Sequence, residues 1–435
     1  MPKQQKAIDF LEAGEETRSF KEWEYIRVDD KQKIVTADPK GALVQGDVGQ
    51  WKCRTCGGTF FSNGNPPLEC GCCDRQTHCD PVSPLYLDEP WIPYNEPRVI
   101  SKHELLPNET SGFLRRYLIL PRKEDYEIMT WWILASYRQR DFWTFPYLQF
   151  IAPVRSGKTT ALQLINLLAY RCVNAIAVTP AALSRLIEQY GCVVCLDQAE
   201  NKFNMKTERG QELDDIFMGG YKRGEKHIVS DKDDPEKIII RHEFGPKAMA
   251  STKTFDEALE DRSIVFHLRE GIPEKEDITE DTLKEAQEIR STLLYFSLYP
   301  KKLPVVDVDL HGRIREKYSP LIQVCSYFEE DTTTIYDHAR KTEEKQGEEA
   351  ILTQEHDILQ VICDAQSTLD EQHLVMISDI TTKTGFTPQV VGWKLKNINI
   401  PRKKSRDGAY ISLEDPEVQD ELKTLYKKYH VKSTH

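Results

Sequence analysis

The chain has 435 residues, 39% of them hydrophobic and 29% charged, with 58 basic and 70 acidic side chains and a net charge of −12. That length admits about three domains of roughly 150 residues, and the composition excludes a wholly disordered chain. The acidic balance excludes a protein that coats nucleic acid through its overall field, so any such contact has to be local.

No window approaches about 18 uninterrupted apolar residues. The N-terminal MPKQQKAIDFLEAGEE carries neither an apolar signal core nor an Arg-rich transit pattern, so a soluble cytoplasmic protein without membrane contact is expected. Residues 1–44 hold a candidate strand pair around EYIRVDD and QKIVTAD, to which no function is assigned. From Trp51 to Cys79 the composition shifts to Cys, Gly, Asn and Pro, and six of the 11 cysteines fall between positions 53 and 79. Cys53-x2-Cys56 and Cys70-x2-Cys73 have the two-knuckle spacing of a four-thiolate Zn²⁺ site. Gly57 and Gly58 let backbone N–H groups approach the thiolates, and the segment has almost no core of its own. Residues 45–82 are therefore expected to be a structural zinc ribbon, with metal supplying folding energy and Cys72, His78 and Cys79 as spare ligands. Residues 83–112, including PVSPLYLDEPWIPYNEP, read as an extended linker or strap.

Helical periodicity over FLRRYLIL and YEIMTWWILASYRQR gives way to alternating strands and helices. YLQFIA, VNAIAV and CVVCLD read as strands, TTALQLINLLAYR and PAALSRLIEQY as helices, and Thr179 and Pro180 suit the cap and first turn of the second helix. The alternation predicts an α/β fold over residues 113–272, a parallel sheet with helices on both faces. Cys192 and Cys195, three apart on a strand, face opposite sides and belong to core packing rather than to metal or redox chemistry. Residues 273–350 read as a helical extension, with KTEEKQGEE a solvated linker or helix end.

The segment Ala152-Pro153-Val154-Arg155-Ser156-Gly157-Lys158-Thr159-Thr160 lies between an apolar strand and an apolar helix, the context a phosphate-binding loop requires. Backbone N–H groups from Arg155 to Thr160 can cradle phosphates, Lys158 can reach the β and γ phosphates, and the Thr159 hydroxyl can serve Mg²⁺. Ala152 replaces the first glycine of the usual pattern and leaves Gly-Lys-Thr intact. Thirty-nine residues after Lys158, an apolar strand ends in Asp197, where a carboxylate holds Mg²⁺ through water. Gln198 stands where a catalytic glutamate often does, and Glu200 follows. Either Glu200 or Gln198 orients the attacking water, or ATP is turned over slowly. Ser251 or Thr252, ending a later strand, can bond the γ-phosphate or the water. Arg262, just before the next strand, can stabilise transferred-phosphate charge from within the chain or from a neighbouring subunit; the rival reading is a surface pair with Asp261.

From Glu355 the chain reads helix, short strand, two helices at a tight turn and a hairpin, the pattern of a winged helix-turn-helix over residues 351–435. Ser378 and Thr387 suit helix N-caps. Between Lys383 and Arg406 there are seven basic residues and no acidic one. Lys394, Lys396, Arg402, Lys403, Lys404 and Arg406 are expected to engage DNA phosphates; the rival reading is a protein-docking module with a solvated basic face.

The succession AxxxxGKTT, VCLDQAE, GYKRGEKH, FGPKAMAS, LEDRSIVFHL and GRIREKYSPLIQVCSYF, over roughly residues 125 to 415, resembles a helicase-like ATPase domain of primase and replication proteins from phages, plasmids and integrated elements. That domain is related to AAA+ ATPases. The resemblance implies a homo-oligomeric ring, such as a hexamer, with Lys158, Thr159 and Asp197 at the phosphates, Ser251 or Thr252 as sensor, and Arg262 acting across a subunit interface. It also implies that Lys222, Arg223, Lys232 and Lys237, around a hairpin turning at Asp233-Asp234-Pro235, face DNA in a central channel; a plain exposed hairpin is the rival. The family commonly has Asp-Glu-Ala-Asp where this chain has Asp197-Gln198-Ala199-Glu200, which leaves the general base open. The expected function is an ATP-dependent DNA translocase or helicase in replication of a mobile genetic element, with a primase or polymerase as partner. The alternatives are an ATP-switched, DNA-bound assembly factor that does not unwind, and a small-molecule kinase.

Overall fold

Parallel strands need crossovers long enough to carry a helix, and the chain's alternation of short apolar runs with longer amphipathic ones meets that requirement. The structure, a computed structural model, describes residues 23–28, 31–37, 43–47, 49–53, 59–62, 79–81, 91–98, 105–175, 177–203, 206–230, 238–299, 301–351, 353–368, 374–406 and 408–432. They belong to two compact units, Met1–Tyr336 and Asp337–His435.

The first unit begins with an antiparallel sheet of β1 (Trp23–Val28), β2 (Lys31–Ala37) and β3 (Leu43–Asp47). A second small sheet follows, of β4 (Gly49–Cys53), β5 (Thr59–Ser62) and β6 (Cys79–Pro81), in the order β5-β4-β6. Its register makes Cys53 and Cys79 partners on neighbouring strands. Cys56, Cys70 and Cys73 lie outside the described residues, as do Cys72 and His78; among the described residues there is no cluster of metal-ligating side chains. β1 is fixed to the rest of the unit by a buried ion pair. The Arg171 guanidinium donates to both Glu24 carboxylate oxygens at 2.8 and 2.6 Å, and the Tyr170 hydroxyl donates to the same carboxylate at 2.7 Å. Three donors on one carboxylate offset the cost of taking both charges out of water.

Helices α1 (Leu105–Tyr117) and α2 (Lys123–Ser136) precede the main sheet. That sheet holds β7 (Tyr147–Ile151), β8 (Val173–Ala175), β9 (Val194–Leu196), β12 (Lys247–Ser251) and β13 (Ser263–His267), all parallel, in the order β13-β7-β12-β9-β8. Between these run α3 (Lys158–Leu168), α4 (Pro180–Tyr190), α5 (Glu208–Gly219), a hairpin of β10 (His227–Ser230) and β11 (Ile238–Arg241), and the short α6 (Glu257–Asp261). The expected cap of α4 is present: the Thr179 side chain accepts from the Ala182 N–H, with Pro180 in the first turn. Cys192 and Cys195 are buried in the core, and the Cys195 sulfur lies 3.4 Å from that of Cys172. Helices α7 (Glu280–Leu298) and α8 (Gly312–Tyr327) follow. KTEEKQGEE, read as a linker or helix end, falls inside α9 (Thr333–Ile351).

Lys247, at the start of β12, is fully buried. Its ammonium donates to the carbonyls of Glu243 (2.9 Å) and Gly245 (3.2 Å) and sits 4.9 Å from the Tyr147 ring centre. Burial pulls its pKa down to about 7, against which the Glu243 charge acts. Gly220 packs against that ammonium and two carbonyls so closely that a Cβ has no room.

The second unit consists of α10 (Gln354–Thr368), β14 (Leu374–Met376), α11 (Ile377–Thr384), α12 (Pro388–Asn397), β15 (Lys403–Ser405), β16 (Gly408–Ser412) and α13 (Pro416–Lys428). Its antiparallel sheet runs β14-β16-β15, over a core that includes Ile358, Ile362, Ile380, Val391, Leu395 and Ile411. Thr387 caps α12 through the Val390 N–H, with Pro388 in the first turn. Ser378 is not a cap: α11 leaves β14 directly at Ile377, and the Ser378 carbonyl accepts from the hydroxyls of Thr381 and Thr382.

Glu24→Ala leaves a buried guanidinium uncompensated and is expected to cost about 3–5 kcal/mol, whereas Glu24→Leu with Arg171→Met recovers most of it; urea unfolding of the three chains checks this. For Lys247 the native pKa lies below that of the unfolded chain, so between about pH 7 and 10 the unfolded state holds the extra proton and stability rises with pH. Relative to Lys247→Met, the wild-type chain is expected to gain about 1 kcal/mol per pH unit in that window, read as the difference between two denaturation series.

Candidate nucleotide site

Because all five strands run the same way, their carboxyl ends open at one edge of the sheet. The loop after β7, the turn after β9 and the end of β12 all emerge there. β12 comes late in sequence but is inserted between β7 and β9. Ser251 and Thr252 thus stand between the loop and Asp197. The loop is bonded to this inserted strand, Ala152 N–H donating to the Ser251 carbonyl at 3.1 Å.

Within the loop, Arg155 (φ 67°) and Gly157 (φ 79°) are left-handed and Ser156 is buried. Gly157 occupies the N-cap position of α3, and no side chain caps that helix. The N–H groups of its first turn, at Lys158, Thr159 and Thr160, therefore present the positive end of the helix without a side-chain cap. The Lys158 ammonium donates to the carbonyls of Ala152 (2.6 Å) and Pro153 (2.5 Å), folded back over the loop.

The Thr159 hydroxyl donates to Asp197 Oδ2 at 2.9 Å, and Asp197 Oδ1 accepts from the Gln198 N–H at 2.7 Å. These hard oxygen donors fit Mg²⁺. Lys202, which motif reasoning did not single out, donates to the Asp197 carbonyl. Gln198 is left-handed (φ 50°) and exposed. Glu200, in the turn Ala199–Asn201, bonds instead to the end of β12: its Oε1 accepts from the Thr252 N–H (3.2 Å) and hydroxyl (2.8 Å), while its Oε2 is buried without a partner. Burial raises the Glu200 pKa, but the Thr252 hydrogen bonds outweigh it and hold the carboxyl below its ordinary value. The Ser251 hydroxyl donates to the Lys253 carbonyl at 2.6 Å.

Arg262 stands at the amino end of β13, across the sheet from this cluster. Five extended residues separate the two edges by about 16 Å, beyond the reach of its side chain. Its Nη1 donates to the Ala258 carbonyl at 2.7 Å, its guanidinium lies 5.9 Å from the Tyr221 ring centre, and its Nε is buried without a partner. The alternative Asp261–Arg262 pair does not form, because Arg313 takes the Asp261 carboxylate at 3.0 Å. Asp214, another residue without a sequence signal, has a buried Oδ1 with no partner; burial and the neighbouring Asp256 and Asp215 raise its pKa against the pull of Arg262.

Two of the expected hairpin contacts are engaged inside the chain. Lys222 pairs with Glu316 at 2.8 Å, and Arg223 donates to the carbonyls of Gln139 and Arg140 and stacks 5.2 Å from the Phe244 ring centre. Lys232 and Lys237 lie outside the described residues, as does the turn at Asp233.

No family model and no curated protein matches the chain. Among solved structures it is similar to the A form apo structure of the NrS-1 C-terminal region, at 12% identity over 86% of this chain and 84% of that one, with a TM-score of 0.36. A second structure of that region matches at 15% identity over 73% and 76% of the two chains, with a TM-score of 0.32. A structure of Drosophila ORC bound to DNA matches at 12% identity over 77% of this chain and 95% of that one, with a TM-score of 0.21. Among the described residues, no helix is long and apolar enough to cross a membrane.

Proposed function

We propose that the chain is an ATP-dependent DNA translocase or helicase acting in replication of a mobile genetic element. The observation that carries this reading is the meeting, at one sheet edge, of an α3 N-terminus without a side-chain cap, the Thr159–Asp197 pair and the Thr252–Glu200 pair. The helix N-terminus and Lys158 bind the phosphates of ATP, with Lys158 exchanging its loop carbonyls for phosphate oxygens. Thr159 and Asp197 would hold Mg²⁺, which when bound neutralises charge on the phosphate oxygens. Glu200, ionised at neutral pH, is the better general base than Gln198: a carboxylate accepts a proton that an amide does not, and the Thr252 hydrogen bonds fix it at the sheet edge.

Arg262 is too far from its own chain's phosphates to serve them, so the proposed transition-state cation comes from a second copy. This geometry supports a homo-oligomer in which each site is completed by its neighbour. The second unit is proposed as a winged helix-turn-helix, α11 and α12 forming the helix pair and β15–β16 the wing. For residues 45–82 a structural zinc ribbon remains the proposal on cysteine spacing. A second reading, an ATP-driven assembly on DNA without unwinding, is favoured by Gln198 at the usual glutamate position.

Lys158→Ala is expected to abolish ATP turnover, and wild-type rates in that variant would overturn the site. Arg262→Ala is expected to be inactive alone, yet mixing it with Lys158→Ala chains restores partial turnover, since some junctions then pair an intact loop with an intact arginine. Activity no greater than the sum of the separate variants refutes the trans assignment. Glu200→Gln is expected to slow turnover by about 10²–10⁴-fold with nucleotide affinity kept, and Gln198→Ala far less; steady-state rates with a fluorescent-nucleotide titration decide between them. ATP-stimulated assembly without strand separation on forked DNA would select the second reading.

A further inference from the structure

The second unit carries more than a basic face. Along α12 the buried residues Val391 and Leu395, with Ile398 just after the helix, line one side, while Gln389, Trp393, Lys396 and Asn397 are exposed. At about 100° per residue these four positions fall in a single stripe, with the exposed Pro388 of the first turn lying off it. From Gln389 to Asn397 the stripe runs eight helical rises, roughly 12 Å, close to the width of the DNA major groove. Trp393 is 59% exposed, a large apolar surface set between two amides and a cation. Among the described residues, neither the Gln389 nor the Asn397 amide has a hydrogen-bond partner.

The cations sort themselves around this stripe. Lys394 is turned to Glu355 at 2.7 Å, both side chains being largely covered, and Lys403 reaches Asp415 at 3.3 Å. Those two, expected on DNA, are paired within the unit in the chain alone. Lys383, Lys396, Arg402, Lys404 and Arg406 are exposed and form no ion pair among the described residues. Arg402 crosses the backbone of α12 at Gly392, where a Cβ would collide with its guanidinium, and so is held beside the helix.

From this arrangement we infer that the C-terminal unit recognises specific sequence in duplex DNA, through Gln389, Trp393 and Asn397 on α12, and that its target contains A·T pairs. This rests on the DNA-binding part of the proposed function and goes beyond it, since lysines on phosphates position a protein without reading bases. An amide side chain pairs in bidentate fashion with the N6 and N7 edge of adenine, and an exposed apolar ring edge contacts the thymine methyl. Charge complementarity commits the surface to DNA: the unpaired Lys396 lies in the stripe and Arg402 beside it, the same unit exposes Lys383, Lys404 and Arg406, and no acidic residue lies between Lys383 and Arg406.

The test uses the full chain without nucleotide, alongside Lys158→Ala, so that failure of the ATPase assignment leaves it unaffected. Random duplexes are selected by binding, and affinities are then measured by fluorescence anisotropy. The expected result is an enriched site with A·T pairs in its core. Gln389→Ala and Asn397→Ala are each expected to lose about 5- to 150-fold on that site, with binding to random duplex and its salt dependence unchanged. Trp393→Ala loses discrimination at thymine. Lys404→Ala and Arg406→Ala weaken both duplexes alike and flatten the salt dependence. All of these positions are exposed, so circular dichroism is expected to match wild type. Equal affinity for every duplex, equal losses on selected and random DNA in the Gln389 variant, or a stripe that binds protein and leaves duplex affinity untouched when mutated would each overturn the inference.

Discussion

The common direction of the five core strands is the constraint on which the rest of the first unit depends. In the paired register Leu148 of β7 lies beside Ala248 of β12 and Ile264 of β13, so the carboxyl ends of these strands reach one edge nearly level. The insertion of β12 turns that edge into a connected site. Its last residue bonds the loop through Ala152, and the residue after it holds the Glu200 carboxylate. The same constraint sends Arg262 to the opposite edge. A parallel strand cannot offer its first and last residues to one ligand, so a cation placed before β13 lies at the edge opposite the phosphate site proposed after β7.

Much of this architecture was legible because it is local. Strand and helix periods, the Thr179-Pro180 cap and the Gly-Lys-Thr turn each depend on residues within a few positions of one another. The insertion of β12 was not legible, because strand order depends on which apolar edges meet and short buried runs such as KAMAS and VCL carry no partner label. Cys172 beside Cys195 was missed for the same reason, since spacing along one strand is silent about the next strand. Ser378 has the chemistry of a cap, but a strand that runs straight into a helix leaves no room for one. Lys222 and Arg223 look like free cations in sequence; the carboxylate that pairs with Lys222 comes from Glu316, 94 positions away.

Charge placement separates groups held for the fold from groups held open. Arg171 and Glu24 satisfy each other in the interior, and Arg313 bridges Asp261 and Glu316 beside the Tyr221 ring. Arg262 lies on the same ring, yet keeps a buried Nε unpaired, as Glu200 keeps Oε2 and Asp214 keeps Oδ1. An unsatisfied buried polar atom costs about 1–3 kcal/mol, so such groups are rare where stability alone is selected. Two of the ten such atoms among the described residues belong to the base proposed at one edge and the cation proposed at the other, and structural groups such as Arg290 and Gln149 hold others.

An acidic chain can still hold DNA because electrostatic attraction is local in salt water. At about 0.1 M ionic strength the screening length is roughly 10 Å, so a phosphate against α12 responds to the exposed cations around it far more than to the net charge of −12. The pairing of Lys394 with Glu355 and Lys403 with Asp415 reduces that local attraction. It also lowers the share of binding that is blind to sequence, because phosphate contacts strengthen every duplex equally while contacts from Gln389 and Asn397 strengthen only those that match. A modest number of free cations, with Lys396 alone inside the stripe, therefore favours discrimination over bulk affinity, as the reading of base sequence proposed for this unit requires.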